Sequence, residues 1–339
     1  MDLNIIWFLL IAVLIIGYAI LDGFDLGVGV LHLFTKDENE RRININAIAP
    51  VWDGNEVWLL TAGGALFAAF PIVYATVFSG FYLAFMLLLF ALIFRAVSME
   101  FRGKVDSPKW RNLWDWAFGI GSLLPALLYG VAIGNILRGI PINDDGFFAG
   151  NFFSLLNPYS ILVGLLSLVL FTMHGAIYLA MKSEGAQRDR IKNLTPKLWI
   201  AYVVIYVLVT LYSFFEANYL FASILSNPLF WILFILLLAG ILYIPVAVNS
   251  DKFGRAFIAS SAAIASMIGL MGLSMFPALV PSSINMAANS LTIYNASSTP
   301  RTLETMLYIA LIGMPLVIGY TIFIYKVFKG KVILNEDSY

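Results

Sequence analysis

Cysteine is absent from the 339 residues, histidine occurs twice, and Asp, Glu, Lys and Arg together make up 12% of the chain. Without cysteine there is no disulfide, no thiolate-bound metal and no cysteine-ligated iron-sulfur cluster. Two histidines, His32 and His174, are too few to hold several hemes, which commonly take histidine as an axial ligand. So few charges exclude an ordinary soluble composition. Low-complexity tracts, phosphate-binding loops, nucleophile and base pairings, metal-ligand spacings and basic nucleic-acid patches are also missing. Gly27 and Gly29 do not follow a strand, so they do not make a nucleotide site.

What is present is apolar: 61% of the residues. Runs of about 20 residues, enough for a helix to cross a hydrocarbon core of about 30 Å, recur along the whole chain. The fold class that follows is an all-α polytopic membrane protein with about nine transmembrane helices. The spans are 4–34, 52–71, 74–101, 113–138, 157–182, 197–217, 227–249, 254–277 and 303–328. Each is assigned helix because lipid offers no partner to an unpaired backbone group. Pro71 ends the second span and predicts a tight hairpin into the third. The first run lacks the basic lead and small-residue cleavage pattern of a signal peptide and reads as a retained helix.

Basic residues follow the odd-numbered spans: Lys36, Arg41 and Arg42; Arg102, Lys104, Lys109 and Arg111; Lys182 to Lys197; Lys252 and Arg255; Lys326, Lys329 and Lys331. The alternate loops carry Arg138 and Arg301. Because short cytoplasmic loops collect Lys and Arg, the N-terminus is expected outside and the C-terminus in the cytoplasm. A faint echo of GYAILDGFDLG (17–27) in HGAIYLAMKSEG (174–185) suggests two four-helix bundles, 1–138 and 157–277, followed by a peripheral ninth helix at 303–328, all in one integral membrane domain.

Ionisable groups inside apolar spans are expensive and ask for a reason. Asp22 and Asp25 lie three apart on one face of the first span, and Asp53 and Glu56 repeat that spacing at the start of the second. Arg95 and Glu100 lie near the end of the third. At 1.5 Å per residue Asp22 is about 27 Å along its helix, so all six are expected to crowd the cytoplasmic half of the first three helices. Singly, each reads equally well as an interfacial or packing residue, and the first turn of the second span favours acids on dipole grounds alone. As a group they suit a proton or cation path. His32 reads as interfacial and His174 as a bond to a neighbouring helix, while Met271 and Met275 read as packing. Trp52, Trp58, Trp110, Trp114 and Trp116 fit an interfacial belt. Gly17, Gly23, Gly27, Gly29, Gly63 and Gly64 offer thin faces for close helix approach.

The stretches GYAILDGFDLGVG (17–29), ERRININAIAPVWDGNEVWLLTAGGALFAAFP (40–71), FSGFY (78–82), FRAVSMEFRGK (94–104), WRNLWDW (110–116), GNFFSLLNP (150–158) and MFPALVPSS (275–283), with the ending at Tyr339, resemble subunit II of the cytochrome bd-type quinol oxidases. The outer loop at about 217–226 is shorter than in the larger members. The resemblance implies a heme-free subunit of a bacterial inner-membrane complex that oxidises quinol and reduces dioxygen to water, taking protons from the cytoplasm. Its partner, subunit I, would carry two b-type hemes and one d-type heme, and a small single-helix subunit is a further candidate partner beside quinol and membrane lipid. By motif position Asp53, Asp22 and Asp25 become candidates for proton entry, with Glu100 and Lys104 as an acid and base pair beside it, Arg95 among them and Glu56 dispensable. Trp52 is the candidate contact for a quinone bound in this subunit. No catalytic residue, heme ligand or metal ligand is expected in this chain. A secondary transporter or channel using the buried carboxylates is the rival reading, and a scaffold that only stabilises subunit I is the third.

Overall fold

A computed structural model describes residues 2–222 and 224–334; the Tyr339 ending lies outside the described residues. Helix α1 (Leu3–His32) is capped by the Asp2 carboxylate, which accepts from the Asn4 amide. There follow α2 (Glu38–Ile48), α3 (Trp52–Ala69), α4 (Pro71–Gly80), α5 (Tyr82–Phe101), α6 (Pro108–Arg138), α7 (Pro158–Lys182), α8 (Gly185–Glu216), α9 (Pro228–Asn249), α10 (Phe253–Met275), the single turn α11 (Met286–Asn289) and α12 (Pro300–Val327). Proline opens α4, α6, α7, α9 and α12, where its missing N–H has no helical partner to lose. Asn157, Asn227 and Thr299 cap three of these starts through their side chains.

Among the described residues eight helices are long and apolar enough to cross a membrane, and α3 supplies the span expected at 52–71. The span expected as continuous over 74–101 is two helices. Phe81 leaves helical geometry at φ −99° and ψ 18° between α4 and α5, where a glycine at position 80 weakens the helix. The helices expected from 113 and 197 start earlier, at Pro108 and Gly185. Their first turns are polar and basic, so hydropathy places only the apolar remainder.

Helix α1 is central and packs against α3, α6 and α7, while α7 also packs against α6, α8 and α10. Where α1 crosses α7, a Cβ on Gly27 would stand 1.9 Å from the Phe171 carbonyl oxygen, and one on Gly175 would stand 2.5 Å from the Gly27 carbonyl carbon. Only glycine permits that backbone contact. Gly17 meets the Trp58 ring and Gly29 meets Ser122. Gly63 and Gly64, expected to make a similar face, have open space around them. Helix α12 lies peripherally against α1 and α3, with Leu303 its one buried residue.

The loops gather at two ends. At one, residues after α6 and α10 interlock: Ile140 bridges to Ser282, strands β1 (Ala278–Val280) and β2 (Leu291–Thr292) pair antiparallel, and Trp7 Nε1 donates to the Leu303 carbonyl. At the other, the basic loops are tied to one another, through Arg190 with Glu40, Lys192 and Arg188 with Asp251, and Lys182 with the Phe328 carbonyl.

Candidate functional site

The α1 stretch LDGFD brings Asp22 and Asp25 to one helix face, and α5 lays Arg95 across them. Asp22 is fully buried. Its two oxygens accept from Arg95 Nη2 at 2.7 Å and Nη1 at 3.1 Å, and Tyr18, one turn earlier, donates its hydroxyl at 2.7 Å. The Tyr18 oxygen also lies 2.6 Å from the Tyr129 hydroxyl of α6. Asp25, equally buried, is held differently: Asn55 of α3 donates its side-chain amide at 2.7 Å, and Arg95 stands 3.9 Å away. Among the described residues its Oδ1 has no partner, and neither has Arg95 Nε. Asn55 is set by the Tyr325 hydroxyl of α12, which donates to its carbonyl oxygen at 2.9 Å. A bidentate guanidinium and carboxylate pair of this kind is strong and directional, and it commits the charge of Asp22 while leaving one oxygen of Asp25 open.

The remaining sequence candidates do not join that buried group. Glu56, one turn beyond Asp53 on α3, is half-buried at its margin. Asp53, Glu100 and Lys104 are exposed, and Trp52 is half-buried. Asp53 shares a helical face with exposed Val57 and Leu60, and Glu100 ends a face of α5 that exposes Met86, Phe90, Ile93 and Phe94. Of the six acids and bases expected to crowd together, the structure gathers Asp22, Asp25 and Arg95, with Glu56 beside them. Asp53 and Glu100 stand apart on exposed stripes.

His32, expected at the interface, is buried and within 2.8 Å of Asp115. Asp115 was not singled out by spacing, yet it is the hub of the basic end. It receives Arg102 Nε at 2.6 Å and Arg41 Nη1 at 2.8 Å, and Arg102 in turn forks onto Glu38 with both distances 2.9 Å. One carboxylate thus ties the ends of α1, α2, α5 and α6. The signal available was the position of Asp115 between two tryptophans in WDW, an acid in the first apolar turns of a span. His174 bonds across helices, as expected of it: Nδ1 is 2.6 Å from Ser260 Oγ of α10 and Nε2 is 3.1 Å from the Ile20 carbonyl. Trp58, expected in the interfacial belt, is instead buried against α1 with Leu14 and Tyr18.

Residues 3–328 match the family model described as cytochrome bd terminal oxidase subunit II. The chain is 39% identical over 366 aligned positions to the cytochrome bd-I ubiquinol oxidase subunit 2 of Escherichia coli (strain K12), covering 99% of this chain and 96% of that one. It is 37% identical to the cytochrome bd ubiquinol oxidase subunit 2 of Bacillus subtilis (strain 168), covering 99% and 98%. Among solved structures, a chain of the bd oxidase from Geobacillus thermodenitrificans superposes with a TM-score of 0.80 at 18% identity, covering 97% of this chain and 99% of that one, a likeness of fold.

Proposed function

The chain belongs to the cytochrome bd terminal oxidase subunit II family, and from that premise we propose that it is the heme-free half of a bacterial inner-membrane complex that oxidises quinol and reduces dioxygen to water. In this reading its N-terminus faces outside and its basic end faces the cytoplasm. Subunit I supplies two b-type hemes and a d-type heme, and does the electron chemistry. In this reading the chain contributes no axial ligand; in its support, His174 has both ring nitrogens within hydrogen-bonding distance of protein oxygens, and His32 Nε2 is 2.8 Å from Asp115. Among the described residues there is no group of three or more His, Asp and Glu side chains able to hold a metal.

The chain's own work is to bring protons inward from the basic end. The observation that carries this reading is the placement of Asp53 and Glu100 on exposed, otherwise apolar stripes of α3 and α5. A carboxylate facing lipid there is costly, whereas one facing a partner subunit lines a wet seam between the two proteins. Asp53, Glu100 and Lys104 then form the entrance along that seam, and Trp52 is the neighbour for a quinone bound there. Asp25, with its open oxygen, stands as the next acid inward, while Asp22 and Arg95 hold the helices in register. The two halves of the chain, 1–138 and 157–277, act as paired supports and α12 as an outer stay.

The test is Asp53→Asn in the chain co-expressed with subunit I, recording the heme spectrum and quinol-driven oxygen consumption together. Normal hemes with consumption reduced at least tenfold are expected. Normal hemes with normal turnover remove Asp53 from the route and leave support of subunit I as the chain's role.

A further inference from the structure

Helix α12 buries little of itself, yet its basic end is tied down at several points. Lys182, which closes α7, donates its ammonium to the Phe328 carbonyl just past α12 at 2.6 Å. In return Lys331 donates to the Ser183 carbonyl at 2.7 Å, and the Val332 amide donates to the Lys182 carbonyl at 2.9 Å. A lysine on the last carbonyls of a helix is favourable both as a hydrogen bond and against the helix dipole. The ends of α7 and α12 thus clasp each other, and Tyr325, about one turn before Phe328, is pinned with its hydroxyl on Asn55.

Asn55 is 1% exposed, and both amide hydrogens and the carbonyl oxygen of its side chain are engaged. Nδ2 donates to Asp25 Oδ2 at 2.7 Å and to the Leu21 carbonyl at 3.2 Å, while Oδ1 accepts from Tyr325 at 2.9 Å. Among the described residues that amide gives Asp25 its one hydrogen bond. The competing donor is Arg95. Its Nη2 stands 3.9 Å from Asp25 Oδ2, too far for a hydrogen bond, and its buried Nε has no partner among the described residues. Asp22 shows what capture by this guanidinium does, since both of its oxygens are engaged there.

We propose that Tyr325 is a positioning residue that, through Asn55, holds Asp25 off the Arg95 guanidinium and so keeps it able to take and pass a proton; this rests on the reading of Asp25 as the acid inward of the entrance. The hydroxyl supplies the Asn55 carbonyl with a donor inside the bundle, where an unmet acceptor is costly. Without it the amide turns to relieve that oxygen, its bond to Asp25 is lost, and opposite charge draws the carboxylate onto Arg95. An acid locked into that ion pair is committed as a charge and no longer carries protons. The aromatic ring does not do this work: it meets Phe24 edge-on at 6.5 Å, a contact that phenylalanine would keep.

The experiment is Tyr325→Phe in the complex with subunit I, with quinol-driven oxygen consumption normalised to heme content and measured in water and in heavy water. Normal hemes and an unchanged KM for quinol are expected, with kcat lowered about fivefold. The solvent isotope effect should rise roughly twofold, because proton delivery becomes the slow step. A hydroxyl that only supports the fold predicts fewer assembled complexes, each turning over with the wild-type isotope effect. An isotope effect equal to that of the wild type therefore overturns the assignment whatever the yield or rate, as does a raised KM or a failure to assemble. Asp25→Asn, measured alongside, separates the two levels of the argument. Full turnover there removes the proton route through Asp25 and this inference with it, whereas lost turnover there beside an unaltered Tyr325→Phe removes this inference alone.

Discussion

Asp22 and Arg95 are buried together, and each is tolerable there only because of the other. Asp22→Asn leaves a guanidinium inside the bundle with its bidentate acceptor gone, a change that typically costs about 3–5 kcal/mol. Replacing both, as in Asp22→Leu with Arg95→Met, removes the stranded charge. The detergent-solubilised complex should therefore melt well below wild type for the single substitution and recover most of the loss for the double one. A double variant no better than the single would mean that Tyr18 and Asp25 depend on the pair as much as it depends on itself. Asp115 makes the same point at the basic end. Asp115→Asn strips two arginines and His32 of their shared acceptor, and we expect protease cleavage in the 102–107 turn to accelerate. Spacing alone revealed the acids that lie three apart on a helix, Asp22 with Asp25. It missed Asp115, because its partners come from α1, α2 and the turn after α5, which no local pattern joins. It also grouped Glu100 with Arg95, although the two lie on different faces of α5.

Among elements, the glycines separate close approach from mere absence of a side chain. Gly27→Ala puts a methyl group into the Phe171 carbonyl and must push α1 and α7 apart. Gly63→Ala meets nothing within 4 Å and gains helix propensity, about 0.5–1 kcal/mol. Thermal melting of the two variants should move in opposite directions. Six small residues read from the sequence as one kind of surface were thus two kinds, since periodicity reports a face and not what faces it. Hydropathy likewise located every long span but not the break at Phe81, because Pro71–Gly80 is as apolar as the helix after it. The turn between α9 and α10 offers a test by pH. Asp251 sits at φ 56°, left-handed backbone that Asp and Asn tolerate better than most residues. Its carboxylate accepts from Lys192 at 2.7 Å, and that bond holds its pKa below the ordinary value. A folded pKa below the unfolded one stabilises the protein above the unfolded value, near 3.9, and the benefit fades as pH falls through the folded value. The wild type should therefore melt above Asp251→Asn at pH 7, and the gap should close in acid below about pH 4. A gap unchanged by acid would assign the difference to the backbone instead.

For the whole molecule, the loops sort into a basic end closed by ion pairs and an opposite end closed by the residues that follow α6 and α10. Alternation of basic loops along the chain foreshadowed this, since parity survives small errors in helix boundaries. Contacts across the bundle were beyond its reach: the meeting of α12 with α3 depends on residues far apart in the chain. That meeting has a consequence for biosynthesis. The Asn55 carbonyl oxygen, which helps to aim the Asn55 amide at Asp25, gets its donor from Tyr325, 270 residues later. At about 5–20 residues per second, the ribosome makes that stretch in roughly a quarter of a minute to a minute. Until then the amide that greets Asp25 is half-secured, and the polar heart of the first helices is open to rearrangement. A chain stalled before its last helix therefore lacks the donor that fixes this amide, and the finished chain supplies it from its own far end.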